Sequence, residues 1–290
     1  MSDNKDRSEA DKGVGEDEKS FFKIIIHSFF IIPFLIAVFC VLLFTGIHLL
    51  TREQRSVYDY LEDIKTGGQT KRWQGAFELS RILANQDLIP KEARFTLELI
   101  SAFEQAKHDD ARTRQYIALA MGRTGKPDFV LPLINGLSEE KEENIPAIIY
   151  ALGMLKQKQA APAIYRYAEH SDSRIRSIAI VALGNIADPE SKNILKKHLN
   201  DPEPNVQWGA AVSLAQMDDP SGKAILSQML NRQYWTQFPA VDRDEQNSLV
   251  LTAIHASKML NDLELNAQIK QIAQTDTNMK VRAAALESLK

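Results

Sequence analysis

Arg174-Ile-Arg-Ser-Ile-Ala-Ile-Val-Ala-Leu-Gly184 is the stretch on which the fold turns, because its end recurs at a fixed interval. Leu119–Gly122, Tyr150–Gly153, Val181–Gly184 and Val212–Ala215 stand 31 residues apart, each opening on an apolar or aromatic residue and closing on a small one. The same interval separates Leu133, Ile164, Leu195 and Leu226, then Leu137, Ala168, Leu199 and Leu230, and the turn pairs Asp188-Pro189 and Asp219-Pro220. A period of this length predicts repeated units that bury their apolar faces only against their neighbours. The expected fold is all-α, an α-solenoid of antiparallel helix pairs over residues 71–290. Outside the apolar segment near the N-terminus, no alternating β-branched run is long enough to predict a sheet.

Asp172-Ser173 and Asp201-Pro202 offer helix starts, and Thr124-Gly125-Lys126-Pro127 has the composition of a turn. Two gaps break the period. Ser80 to Gly122 and Ala215 to Ser257 each span 42 residues, 11 more than the repeat. The second excess falls in Arg232–Asp244, where Tyr234, Trp235 and Phe238-Pro239 are bracketed by Arg232 and Arg243. Insertions in solenoids map to loops, often on the binding side.

The helices Arg174–Gly184 and Val281-Arg-Ala-Ala-Ala-Leu-Glu-Ser-Leu289 resemble short HEAT repeats of the phycobilisome-lyase type, in which Val-Arg, a small-residue run and Leu-Gly are followed by an Asp-Pro turn. The resemblance covers about 71–290 and is strongest over 173–219. It implies a surface-forming fold, and it carries no lyase chemistry, because repeat similarity does not transfer a reaction. Tetratricopeptide and ankyrin signatures are missing from the sequence.

The N-terminal part reads differently. Residues 1–20 hold four positive and seven negative charges, which account for the whole formal charge of −3, and their composition predicts an acidic disordered tail. From Ile24 to Thr51 there is no Lys, Arg, Asp or Glu. The 23 residues Ser28–Leu50 would rise about 35 Å as a helix, so 21–51 is expected to be a single transmembrane helix. No small-x-small cleavage site follows Leu50, which favours a retained anchor over a signal peptide. Residues 52–70 read as a connector. The expected location is a single-pass helix in a bacterial inner membrane. Five Lys or Arg precede the span and three follow it closely, which tilts the tail towards the cytoplasm, but an acidic tail can also be translocated and both orientations stay open.

Motifs for chemistry are scarce. The resemblance to the deoxyhypusine-hydroxylase branch of this repeat class would imply His-Glu pairs that hold two irons. None of the six histidines is followed by Glu, and His108-Asp109 and Glu169-His170 do not recur at matched positions. No metal, cofactor or small-molecule substrate is therefore expected, and no catalytic residue is assigned. The near-neutral charge outside the tail argues against nucleic acid. A protein partner remains, with a membrane complex as one form of it.

The candidate partner-binding residues are Tyr234, Trp235 and Phe238, since aromatics dominate interface energetics, with the alternative that they fold back and plug the longer repeat. Arg174 and Arg176, with Arg112 and Arg114, offer a basic ladder for an acidic or phosphorylated partner, against ion pairing between repeats. Glu139–Glu143 reads as a helix-opening turn or an acidic docking patch. The expected function is a membrane-anchored, non-enzymatic scaffold or adaptor. The alternatives are an accessory subunit whose span packs into a transporter or envelope complex and, last, a metal-dependent enzyme.

Overall fold

The structure is a computed structural model that describes residues 30–50, 55–138 and 140–290, with the backbone alone at 48–50. The expected acidic tail, the first part of the expected span (21–29), residues 51–54 and Glu139 lie outside the described residues. Two compact units divide the chain at Arg55.

The first unit is described by α1, Ile32–Leu50. Its large apolar side chains are bare: Phe34 is 67% exposed and Phe44 77%. At 19 residues α1 rises about 28 Å, a little under the roughly 30 Å of a hydrocarbon core. Among the described residues no helix is long and apolar enough to cross a membrane, so the spanning helix expected over 21–51 is not shown.

The second unit is a continuous stack of helices. It begins at Ser56, inside the stretch read as a connector. The Ser56 hydroxyl accepts from the Asp59 amide and the Asp59 carboxylate accepts from the Ser56 amide, which closes a capping box. Val57, Leu61 and Ile64 then share one face of α2 (Val57–Thr66), at i, i+4 and i+7, and are buried. Helices α3 (Gln69–Ile82), α5 (Ala111–Arg123), α7 (Ile145–Leu155), α9 (Ser173–Ile186), α11 (Pro204–Gln216), α13 (Arg243–Leu260) and α15 (Met279–Ser288) pack side by side as one layer. Alternating with them, α4 (Ala93–Gln105), α6 (Val130–Ser138), α8 (Ala161–Ala168), α10 (Lys192–Lys197), α12 (Lys223–Leu230) and α14 (Leu263–Thr275) form a second layer with α2.

The 31-residue interval has a steric cause. A Cβ added to Gly122 would lie 2.8 Å from the Cα of Ala151, and one added to Gly153 or Gly184 would lie 2.9 Å from the Cα of Ala182 or Ser213. The small end of each slot is thus where one layer helix meets the backbone of the next. Ser80 and Ser257, beyond the two long gaps, are also buried at this slot. In the other layer Leu133, Ile164, Leu195 and Leu226 are all fully buried. Only the first slot position turns outward, and Tyr150 is 48% exposed and Val181 38%.

The turns obey the same interval. Pro127–Phe129, Lys158–Ala160, Pro189–Ser191 and Pro220–Gly222 are each one turn of 3₁₀ helix. Just before them Gly125, Lys156, Ala187 and Asp218 take φ of 66°, 53°, 54° and 54°. The left-handed backbone ends each layer helix, and three of the four positions carry a side chain that disfavours it by about 1–2 kcal/mol.

Two substitutions with opposite signs test this account of the repeat. Ala187→Gly should raise the unfolding free energy by about 0.5–1 kcal/mol, because relief of the left-handed strain exceeds the added chain entropy. Gly153→Val should lower it by about 1–3 kcal/mol through overpacking against Ala182. Urea titration of both variants checks the signs, and a neutral Gly153→Val would remove the steric explanation of the period.

Candidate functional site

The buried core divides at α11. Val206, Ala210 and Leu214 belong to the core on its N-terminal side, and Trp208, Ala211 and Ala215 to the core on its C-terminal side. The insertion packs into the second of these cores. Its Arg232–Gln237 segment is one 3₁₀ helix, opened by the Asn231 side chain, which accepts from the Gln233 amide.

Trp235 is 1% exposed, and its indole N–H donates to the Met229 carbonyl at 3.0 Å. The Trp208 indole donates to the Tyr234 hydroxyl, also at 3.0 Å. Edge-to-face contacts join the set, with centroids 4.9 Å apart for Trp208–Trp235 and 5.1 Å for both Trp208–Phe238 and Tyr234–Phe238. The insertion therefore folds back on the stack. Of the three candidate aromatics, Trp235 lies in the core, while Tyr234 and Phe238 are half-buried and present only part of their rings.

The arginines also separate. Arg176 forms a two-pronged pair with Asp201, Nε to Oδ2 at 2.9 Å and Nη2 to Oδ1 at 2.8 Å, and donates to the His170 carbonyl. Arg114 is buried against Glu140 at 2.5 Å, donates to the Phe103 carbonyl and stacks on the Phe103 ring. Both tie a layer helix to the loop before the next one, which is a structural use. Glu140, from the acidic run, is consumed in that pairing.

Arg112 and Arg174 pair instead with their own helix caps, Asp110 and Asp172. Arg174 keeps 85% of its side chain exposed, against 53% for Arg112, so it is the ladder residue most open to a partner. Each guanidinium lowers its cap's pKa, and the Asp110 and Asp172 carboxyls both fall to about 2.

Among the recesses of the described residues, two bear on the candidate residues. One, of about 320 Å³, gathers Glu169, His170, Arg176, His198 and Asp201. Burial opposes ionisation of Asp201, but Arg176, the Glu203 amide and His198 together hold its carboxyl down to about 2. The other, of about 620 Å³, lies beside the insertion and is lined by Arg232, Arg243, Gln246, Gln268, Gln271 and Asp276 among others. Arg232 grips Asp276 through Nε at 2.7 Å and Nη2 at 3.0 Å. Among the described residues no group of three or more His, Cys, Asp or Glu could hold a metal ion.

Sequence reading missed Gln268, Gln271 and Asp276. A signal for Asp276 existed, since it stands 75 residues after Asp201, the offset at which Val281–Leu289 echoes Val206–Leu214. The two glutamines left none, because exposed helical Gln carries no pattern.

With this geometry in view, the HEAT-repeat family profile matches residues 98–182 and 163–237. The match covers residues 98–237, the middle of the stack. Among solved structures, the complex of CpcE and CpcF of phycocyanin lyase from Nostoc sp. PCC7120 matches with 20% identity and a TM-score of 0.60, over 82% of this chain and 88% of that one. YibA of Escherichia coli matches with 16% identity and a TM-score of 0.48, over 84% of each chain. A designed armadillo-repeat protein in complex with the peptide (KR)4 matches with 14% identity and a TM-score of 0.45, over 81% of this chain and all of that one. No curated protein sequence matches the chain. The likeness to the CpcE–CpcF structure shows the fold and leaves activity open.

Two measurements follow from the site. Trp235→Ala should cost about 3–5 kcal/mol, since it empties a fully packed site, whereas Tyr234→Phe, which removes only the acceptor for Trp208, should cost about 1 kcal/mol. Chemical denaturation followed by tryptophan fluorescence separates the two.

Asp201 titrates well below its ordinary 3.8 in the folded chain. Its stabilisation is complete above about pH 4 and disappears as the pH falls towards 2, and it amounts to about 2 kcal/mol. Asp201→Asn should lower stability by about that amount at pH 7 and flatten the acid limb between pH 4 and 2. An unchanged limb would show that the pair does not drive it.

Proposed function

We propose that this protein is a membrane-anchored HEAT-repeat scaffold that holds a protein partner beside a bilayer without catalysing a reaction. The observation that carries the reading is α1. It is an uncharged helix whose Phe34, Phe39 and Phe44 are each 63–77% exposed. Such a surface in water costs about 25 cal/mol for each Å² of apolar area, so it calls for lipid or for other apolar helices. Continued through the uncharged residues 24–31, the apolar stretch is long enough to span a bilayer.

The stack supports the second half of the reading. Its inward arginines are paired and its core is closed. What it offers is extended surface, with Tyr150 and Val181 repeating along one layer. The CpcE–CpcF structure is a case in which a fold of this kind meets a protein partner. Lyase activity is not carried across at this identity.

Fractionation and cross-linking test the two halves separately. The full chain should sediment with membranes, resist carbonate extraction and dissolve in detergent, and deletion of 24–51 should release it. A photo-reactive phenylalanine at position 150 or 181 should give a discrete protein adduct in cells. Replacing 24–51 with an unrelated span should preserve that adduct. Loss of the adduct would instead favour an accessory subunit whose span packs into a complex, and recovery of the full chain in the soluble fraction would remove the anchor.

A further inference from the structure

The polar groups beside the second long gap are not all consumed by the fold. Arg232 is spent on Asp276 and, through Nη2, on Asn247 at 2.8 Å. Arg243, the first residue of α13, is not spent. Its guanidinium has one hydrogen bond, 3.4 Å to the Thr277 hydroxyl, and no carboxylate among the described residues pairs with it. Of the charged side chains that line the recess, Arg243 is the one with no lining carboxylate against it, while Asp242, Asp244 and Glu245 adjoin it at the start of α13.

Amides supply the rest of the wall. The exposed Gln271 side chain has no hydrogen-bond partner among the described residues. Gln268 is spent on the fold: it donates to the Ser227 hydroxyl at 2.7 Å and its Oε1 is buried, so Gln271 and Gln246 are the amides left to a partner. Gln246 donates to the Val241 carbonyl and keeps its own oxygen free. A primary amide both donates and accepts, which matches an extended main chain, where N–H and C=O alternate. Unmet hydrogen-bonding groups of this kind are stabilised by whatever donor or acceptor enters.

The lining narrows the occupant by its chemistry. Leu230 and Ile272 are its apolar members, too few for a hydrophobic ligand. A basic peptide would meet Arg243 and Arg232 first. A bare anion would leave the amide oxygens unused and face Asp276. The volume, about 620 Å³, falls in the range of roughly 300–1,000 Å³ that ligand-sized pockets occupy.

We infer that the cleft formed by the 232–237 turn, the start of α13 and α14 docks an extended acidic peptide segment, with Arg243 taking a carboxylate and the glutamine amides pairing with the peptide main chain. The inference rests on the scaffold reading and gives that scaffold a defined site and a partner chemistry. Arg–carboxylate pairing is the stronger contact of the two, and the amides fix the direction of the chain. The buried aromatics then have a positioning role: they hold the 232–237 turn in place and leave its arginine-bearing side to the partner.

The test is selection of a random heptapeptide phage library on the full chain in detergent, with Arg243→Glu and Gln271→Met variants whose melting curves are first shown to be unchanged. Enriched sequences should be rich in Asp and Glu, and a synthetic peptide of the consensus should bind at least tenfold more weakly to Arg243→Glu and about threefold more weakly to Gln271→Met. A consensus without acids, binding that ignores both substitutions, or no enrichment would overturn the cleft assignment. The scaffold reading would survive any of these results if the adducts at positions 150 and 181 still form, so the two failures are distinguishable.

Discussion

The closest approach between neighbouring layer helices governs this structure. Where Gly122, Gly153 and Gly184 meet Ala151, Ala182 and Ser213, there is no room for even one added carbon. Helices that touch at backbone distance can stack in only one register, because sliding by a turn would bring a larger residue into the contact. The fully buried Leu133-type residues of the second layer then follow, since each must fill the wedge between two layer helices already fixed by the small slot. Stability in such an array is a sum of local terms between neighbours, so every unit has to repeat the contact.

The slot also explains what the sequence made legible and what it hid. Steric exclusion acts on residue identity at fixed spacing, so Gly, Ala and Ser recur at 31 residues and announce the helix stack directly. The left-handed turn residues acted on no such filter. Gly125 fits its φ of 66°, but Lys156, Ala187 and Asp218 take the same backbone without the glycine that would advertise it. The capping box at Ser56–Asp59 was written in the sequence as well, within the stretch read as a connector.

The insertion was legible as a place and illegible as a contact. Tyr234, Trp235 and Phe238 would read alike whether they faced a partner or the core, because hydrophobicity does not specify direction in an irregular segment. The missing clue lay one unit back. Trp208 occupies a position filled by the smaller Gln115, Pro146 and Ser177 in the three preceding units, so its ring is the one that reaches into the insertion. The 11 extra residues supply the rings that meet it. Trp235 packs against the Trp208 ring, and Tyr234 accepts its N–H, so the larger residue is accommodated without leaving a buried donor unpaired.

The arginine clamps show how the remaining freedom is removed. Arg72 with Asp109, Arg114 with Glu140, Arg176 with Asp201 and Arg232 with Asp276 each join one unit to the loop that precedes the next layer helix. Buried ion pairs are weak sources of stability, because desolvation offsets most of their attraction, but leaving one partner alone is costly. Their contribution is geometric: a two-pronged guanidinium fixes both distance and angle, which apolar packing alone does not. The pattern lapses at Ile145, where Pro146 and an apolar helix start take over, and again at Gln207, which reaches only the Asp201 carbonyl. The clamp reappears beyond the insertion, carried by the insertion itself through Arg232. The longer unit is therefore tied down by the device that orders the regular ones, and Arg243, which has no such duty, is left facing outward.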